Sequence, residues 1–211
     1  MSKRLLHTPE GVRDIYGKEN AKKLHIDNKL HQVISSFGYE DIQTPTFEFF
    51  DVYSKDIGTT PSNELYKFFD KEGNTLVLRP DFTPSIARCA SKYFLEESVP
   101  IRFTYLGYTF INKSNLQGKL KEVTQIGAEL INDDSIQADA EMISMVIECL
   151  KNTGLENFQL SIGQVEFFKG LCAEAGLDSE TEEQLRDYIS GKNYFLFANI
   201  LSEIFKFHLF N

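Results

Sequence analysis

The chain has 211 residues, 42% hydrophobic and 25% charged, which is the range of an ordinary globular protein. Its net charge of −9 argues against a free-standing nucleic-acid binder. Cys89, Cys149 and Cys172 are too scattered for a metal or disulfide pattern, and no apolar run approaches membrane-spanning length. We therefore expect a cytoplasmic protein whose cysteines are reduced and which contacts neither nucleic acid nor a membrane.

The first predicted elements lie before residue 80. Apolar residues at helical spacing predict a helix that Gly38 ends. We then expect a strand that stops at Pro45 and, further on, a β-hairpin that turns at Gly73 and Asn74. The segments concerned are YEDIQTP for the strand, TFEFFDVYSKD for a short helix or irregular element, IGTTPSNE for a flexible loop and LYKFFDKEGNTLVLRP for the hairpin.

A helix and a long second hairpin are predicted next. Thr83 is placed to cap a helix that runs to Tyr93, with Pro84 at its first position. The hairpin consists of the strand PIRFTYLGYTFI, the polar loop NKSNLQGK and the strand LKEVTQIGAELI. Consecutive hairpins separated by single helices indicate an α+β fold, with a largely antiparallel sheet and helices to one side.

The remaining residues are predicted to be mostly helical. Ser135 caps a helix that ends at Gly154, and Ser179 with Glu182 forms a capping box for a later helix. Between them we expect a strand in FQLSIG and an amphipathic helix in QVEFFKGLCAEAG. The final stretch, YFLFANILSEIFKFHLFN, is strongly apolar and is compatible with a helix.

Asp81 and Thr83 form the first candidate site, because they lie where a strand gives way to a helix. A helix start presents free amide donors, and an acid with a hydroxyl beside it is suited to holding an ammonium group. The alternative is that both side chains only cap the helix, and this segment alone favours that interpretation.

Gln125, Gly127 and Glu129 form the second candidate site. Side chains alternate along a strand, so these three residues share one face, and Gly127 leaves room between an amide and a carboxylate. Such a trio suits an amino acid whose ammonium pairs with Glu129. A solvent-facing polar stripe explains the pattern equally well, and the two interpretations remain open.

The loop of the long hairpin is basic, since it carries Lys113, Lys119 and Lys121, as a loop leaning over a phosphate would. The strand that leads into it nevertheless continues from Phe110 to Ile111, which cannot bind a charged group. The four histidines are scattered without acids or cysteines at ligand spacing, so no metal site and no cofactor are predicted.

Four segments in this order carry a family resemblance, TPEGVRDIYG, FGYEDIQTPTFEFFDVY, LRPDFTPSIAR, and LGYTF followed by EVTQIGAELI. From about Leu6 to about Ile189 the chain resembles the class II histidyl-tRNA synthetase core, and more closely the regulatory subunit of ATP phosphoribosyltransferase. The resemblance implies a class II aminoacyl-tRNA synthetase-like antiparallel sheet flanked by helices. Residues 1–211 would form a partial, N-terminal part of that core, which appears shortened at its C-terminus, and residues 175–211 are a candidate for the start of a helical insertion.

The resemblance also implies roles for individual residues. Asp81, Thr83, Gln125 and Glu129 fall where synthetases hold histidine. Ile111 stands where synthetases have an arginine that binds the α-phosphate of ATP. The resemblance therefore implies that this chain does not catalyse adenylation. The three loop lysines would then be the remnant of a phosphate loop. Phe82, where synthetases have a glycine, further favours the regulatory subunit.

The function implied is a non-catalytic regulatory subunit in the first step of histidine biosynthesis. It would activate a short-form ATP phosphoribosyltransferase catalytic chain and mediate feedback by histidine as effector. A homodimer through the region Gly38–Tyr53 is expected, although its aromatic residues suit the protomer's own core as well. The alternatives are an active histidyl-tRNA synthetase and a synthetase-like paralogue with another small ligand.

Overall fold

The computed structural model describes residues 6–54, 60–113 and 118–210. The chain divides into two compact units, Met1–Asn157 and Phe158–Asn211. The first unit contains α1 (Gly17–Ser36), β1 (Glu40–Asp41), β2 (Phe47–Phe49), β3 (Lys67–Phe69), β4 (Thr75–Leu78), α2 (Thr83–Tyr93), β5 (Ile101–Phe110), β6 (Glu122–Ile131) and α3 (Ile136–Asn152). The second contains α4 (Val165–Glu174), α5 (Ser179–Ser190) and α6 (Tyr194–Phe210).

The strands form two small sheets. β5 and β6 are ten residues each and pair antiparallel from Ile101 opposite Ile131 to Phe110 opposite Glu122, and β1 runs parallel to β5. The second sheet has the antiparallel order β2-β4-β3. The predicted α+β class and both hairpins are confirmed. Part of the basic loop, residues 114–117, and part of the predicted IGTTPSNE loop lie outside the described residues.

Helices pack on both faces of the β5–β6 hairpin. Even-numbered residues of β6 face α1 and α3, around the buried side chains of Ile34 and Met145. Odd-numbered residues of β5 face the start of α2, where Phe82 and Ile86 are buried against Phe103. The prediction of helices to one side was therefore wrong, because both faces of this hairpin are apolar enough to bury.

Two predicted segments differ from the observed elements. TFEFFDVYSKD begins with the strand β2, and a 3-10 turn follows at Phe50–Tyr53. Consecutive aromatic residues had hidden the period-two alternation, in which Glu48 is buried and its neighbours are exposed. FQLSIG is not in a strand, since none of the described strands pairs with it. A strand requires a hydrogen-bonded neighbour, which a local sequence pattern does not reveal.

The helix caps agree with prediction at α3 and differ at α5. The Ser135 hydroxyl accepts from the Ala138 amide at 3.2 Å, as predicted. At α5 the cap is Asp178, whose carboxylate accepts from the Thr181 amide at 2.8 Å, while Ser179 is the first helical residue. These hydrogen bonds from Thr181 lower the pKa of Asp178. No described helix is both long and apolar enough to cross a membrane.

We expect Asp178→Ala to lower the melting temperature at pH 7, by about 2–4 °C for the loss of one cap. Because the pKa of Asp178 is lowered in the fold, its stabilisation is present above the ordinary value of 3.8 and is lost as the pH falls below it. Thermal unfolding followed by circular dichroism at pH 7 and pH 3 measures both effects. Ser179→Ala is the control, and an equal loss from Ser179→Ala would contradict the observed cap.

Candidate functional site

The two candidate sites of the sequence form one cluster in the structure. Gln125, Gly127 and Glu129 pair in register with Gly107, Tyr105 and Phe103 of β5, so their side-chain face is the one on which α2 begins. The start of α2 places Asp81 and Thr83 over this face.

Direct contacts join the residues of this cluster. The Thr83 hydroxyl donates to Glu129 Oε1 at 2.6 Å. Gln125 Nε2 lies 3.4 Å from Asp81 Oδ1 and 3.4 Å from the Tyr105 hydroxyl, as a donor to both. Gln125 and Glu129 are half-buried rather than a solvated stripe. We call these five residues, Asp81, Thr83, Tyr105, Gln125 and Glu129, the polar cluster.

The hydrogen bonds of Asp81 and Thr83 at the start of α2 differ from the predicted ones. Asp81 Oδ1 accepts from the neighbouring Phe82 amide at 2.7 Å, and the Asp81 carbonyl accepts from the Tyr53 hydroxyl at 2.9 Å. Thr83 is the first residue of α2 and makes no capping hydrogen bond. The prediction that Thr83 caps the helix was wrong, because its hydroxyl is engaged with Glu129 instead.

Tyr105 was missed by the sequence reasoning. Its ring stacks on Phe82, with centroids 4.3 Å apart and planes 15° apart, and its hydroxyl lies beside Gly127. The signal was present in the sequence, since Gly127 faces Tyr105 directly if the hairpin turns symmetrically. The space that Gly127 leaves is therefore occupied by Tyr105 from the neighbouring strand.

Arg79 was also missed by the sequence reasoning. Its side chain packs against the Phe82 ring, which in turn stacks on Tyr105. Its guanidinium lies 4.0 Å from the Phe82 ring centroid. It donates to the carbonyls of Thr44 at 2.9 Å, Pro45 at 3.3 Å and Tyr108 at 2.8 Å. Burial lowers the pKa of Arg79. The row Arg79–Phe82–Tyr105 thus links the end of β4 to the polar cluster.

The polar cluster contains two acidic side chains, Asp81 and Glu129, and no basic one. Burial raises the pKa of Glu129, and Asp81 raises it further, while the Thr83 hydrogen bond opposes this. Burial together with Glu129 and Asp81 raises the pKa of Tyr105 to about 12, so its hydroxyl stays protonated at neutral pH. Two acids and a neutral phenol form a site suited to a ligand that carries a positive charge.

A cavity of about 440 Å³ opens beside Asp81 and Gln125. Ile111 and Lys121 line it as well, and the Ile111 amide donates to the Lys121 carbonyl at 2.9 Å. An apolar side chain therefore occupies the wall of this cavity at the position where the family resemblance implies an arginine.

The three loop lysines have different surroundings. Lys113 Nζ lies 3.4 Å from Glu64 Oε2, Lys119 is exposed, and the Lys121 side chain packs close to Gly11. Within the described residues, no three His, Cys, Asp or Glu side chains group together as metal ligands would.

Comparison with protein families matches residues 11–206 to the family described as histidyl-tRNA synthetase. A curated relative from Acetivibrio thermocellus, an ATP phosphoribosyltransferase regulatory subunit, is 42% identical over 198 residues. This covers 94% of the present chain and 47% of that relative. A protein of the same name from Ruminiclostridium cellulolyticum is 42% identical over 193 residues, covering 92% and 46%. The chain thus spans about half the length of these relatives.

A solved structure from Bacillus halodurans shares the fold. It is described as an ATP phosphoribosyltransferase regulatory subunit/histidyl-tRNA synthetase, and it superposes with a TM-score of 0.84 at 32% identity. The match covers 94% of the present chain and 51% of that structure. The class II synthetase-like fold of the chain is therefore shown by both sequence and structure.

Proposed function

Since the chain belongs to the histidyl-tRNA synthetase family, and its curated relatives are regulatory subunits, we propose that it is a regulatory rather than a catalytic protein. In this proposal it activates the short-form catalytic chain of ATP phosphoribosyltransferase and makes that chain sensitive to histidine. Feedback of this kind requires two states of the assembly and a ligand that prefers one of them.

The observation that carries the proposal is the convergence of Asp81, Thr83, Gln125 and Glu129 into one cluster, in which Thr83 is exposed and the other three are half-buried. A carboxylate that is partly desolvated pairs more strongly with an ammonium than one in water does. The ammonium of free histidine pairs with Glu129, while Gln125 and the Tyr105 hydroxyl supply neutral hydrogen-bonding partners.

Adenylation of that histidine is not part of the proposal. Isoleucine makes no charge-assisted hydrogen bond to a phosphate, and losing one such donor costs about 10²–10³ in rate. Ile111 lines the cavity beside Asp81, and Phe82 fills the space over Tyr105 with 2% of its surface exposed. Histidine-dependent exchange of pyrophosphate into ATP, if observed, would favour the synthetase alternative.

We expect Glu129→Ala to weaken histidine binding roughly ten- to a hundredfold, the range for a hydrogen bond to a charged group. Isothermal titration calorimetry with the 211-residue chain measures this. Glu122→Ala is the matched control, because Glu122 lies on the same strand with its side chain on the other face. Undiminished binding by Glu129→Ala, or an equal loss in Glu122→Ala, sinks the proposed histidine site.

The proposal includes a homodimer through the region Gly38–Tyr53. Within it, Phe47 and Phe49 are 52% and 56% exposed, and Phe47 meets Phe68 edge-on with centroids 5.8 Å apart. Glu48 points inward and pairs with Arg88 at 2.7 Å, so the outward face of β2 is the apolar one. A second copy of the chain would cover it. Light scattering should find a dimer that Phe49→Ser weakens, and a monomer for the parent chain would refute it.

A further inference from the structure

The connection between α2 and β5 carries several exposed apolar side chains. Leu95 is 80% exposed and Val99 is 59% exposed, and Tyr93, which ends α2, is 64% exposed. Single exposed apolar side chains need no explanation, but several within one short segment indicate an interaction site. We call residues 93–100 the α2–β5 loop.

The α2–β5 loop is anchored to the sheet beside it. Asn132, in the left-handed conformation with φ 66°, donates from Nδ2 to the carbonyls of Glu97 at 3.1 Å and Val99 at 3.3 Å. Within the loop, the Glu97 amide donates to the Phe94 carbonyl at 3.1 Å. The Phe94 ring packs edge-on against Phe103, with centroids 5.4 Å apart. Because the loop is ordered beforehand, a partner that binds it loses little affinity to ordering it.

A cavity of about 290 Å³ lies beside this loop, next to β1. Phe94, Pro100 and Ile101 contribute to its apolar wall. Glu40 of β1 and Glu97 of the loop are the acidic residues in its lining. The aliphatic stem of a lysine or arginine packs on such an apolar wall while its charged end reaches a carboxylate. The cavity is therefore suited to a basic side chain of a protein partner.

The charges around this cavity are not balanced. Glu40 and Glu97 are both exposed, and neither forms an ion pair with any described residue. Arg102 also lines the cavity, but its Nε and Nη2 donate to the two carboxylate oxygens of Glu141, each at 2.9 Å. Lys92, near the end of α2, is exposed and does not line the cavity. A basic side chain that enters the cavity therefore meets a net negative charge.

The cavity is distinct from the proposed histidine site. None of Asp81, Thr83, Gln125 and Glu129 lines it. It lies at the edge of β5 that pairs with β1, whereas Gln125 and Glu129 belong to β6, which pairs with the opposite edge of β5. A partner docked at the α2–β5 loop therefore needs no contact with the side chains that the histidine proposal uses.

We propose that the α2–β5 loop and its cavity form the surface on which the short-form catalytic chain of ATP phosphoribosyltransferase docks. The docking region of the catalytic chain is apolar and carries a lysine or arginine, which enters the cavity and pairs with Glu40 and Glu97. In such an interface the apolar contacts provide affinity, and the complementary charges provide specificity and a fast association. This inference rests on the proposed regulatory function, to which it adds the binding surface.

Substitution of the exposed apolar residues tests the docking surface. We expect Leu95→Ser and Val99→Ser each to weaken binding of the short-form catalytic chain by about tenfold or more, as for an apolar residue near the centre of an interface. Isothermal titration calorimetry with the 211-residue chain measures this. Both side chains are exposed, so the variants should fold, and thermal unfolding verifies this. Val146→Ser, on α3 and 41% exposed, is the matched control and should bind as tightly as the parent chain.

Removal of one carboxylate tests the cavity. Glu97→Gln should weaken binding of the catalytic chain by about two- to fivefold, the range for an exposed ion pair. It should also make the binding less dependent on salt concentration, because one attraction that salt screens is lost. Glu72→Gln removes an exposed carboxylate from the turn between β3 and β4 and is the matched control. Equal binding and equal salt dependence of these two variants overturn the assignment of a basic side chain to the cavity.

The docking surface and the regulatory function fail in different ways. If the parent chain does not bind the catalytic chain, the regulatory function is refuted and the docking surface with it. If the parent chain binds, and Leu95→Ser and Val99→Ser bind as tightly, the docking surface is refuted while the regulatory function stands. Weaker binding by these two variants and unchanged binding by Val146→Ser support both proposals.

Discussion

Replacing Arg79 by methionine is expected to destabilise the first unit by about 3 kcal/mol or more. The substitution removes the donors to the carbonyls of Thr44, Pro45 and Tyr108. Leaving a buried acceptor unpaired costs about 1–3 kcal/mol. Methionine keeps much of the apolar stem, so the loss reports on the hydrogen bonds more than on packing. Urea unfolding followed by fluorescence and circular dichroism measures the change.

The effect of Arg79→Met should extend to the polar cluster. The guanidinium supports the Phe82 ring, and Phe82 in turn supports Tyr105. We therefore expect weaker histidine binding even under conditions where the variant is folded. Arg186→Met is the control, because Arg186 is exposed on α5, and a surface change of this kind stays within about 0.5 kcal/mol. Equal stability of the two variants would contradict the structural role of Arg79.

Gly127→Ala is the second change with a large expected effect. An added Cβ would lie 2.5 Å from Tyr105 Cζ, which is closer than carbon atoms approach each other. The Tyr105 ring must move, and it is stacked on Phe82. We expect a loss of about 1–3 kcal/mol of stability, as for other overpacked cores. Because the ring moves within the polar cluster, histidine binding should fall tenfold or more.

Gly170→Ala provides the control for an added methyl group. Gly170 lies in the interior of α4, and apart from its chain neighbours and the backbone of its own helix nothing lies within 4 Å of the added Cβ. Alanine favours a helix over glycine by up to about 1 kcal/mol, so this variant should be slightly more stable than the parent. Differential scanning calorimetry measures the stability of both variants, and isothermal titration calorimetry measures their histidine binding. Unchanged histidine binding in Gly127→Ala would show that the Tyr105 position is unimportant for the site.

The sequence was sufficient for the features set by local patterns. The β5–β6 hairpin follows from alternation on either side of a polar loop, and the C-terminal end of α1 follows from helical spacing and Gly38. The shared face of Gln125, Gly127 and Glu129 follows from period two alone. These features are sufficient to place the candidate residues on the correct elements.

Features that depend on contacts between distant segments could not be predicted. Tyr105 is an intermediate case, because a symmetric turn of the hairpin places it opposite Gly127, whereas the filling of that space by its ring is seen only in the structure. The role of Arg79 depends on carbonyls more than 28 residues away in the chain. The composition of β2 suggests that its phenylalanines face inward, but the inward side chain is Glu48. Glu48 is buried because Arg88 of α2 donates a hydrogen bond to it.

The rate of phosphoribosyl-ATP formation tests the proposed regulatory function. It is measured with a short-form ATP phosphoribosyltransferase catalytic chain, with and without this protein, while histidine is titrated. We expect the protein to stimulate the catalytic chain and histidine to reverse the stimulation. The Glu129→Ala variant should stimulate the chain but no longer respond to histidine. A rate that is the same with and without saturating protein, at every histidine concentration, would contradict the regulatory function.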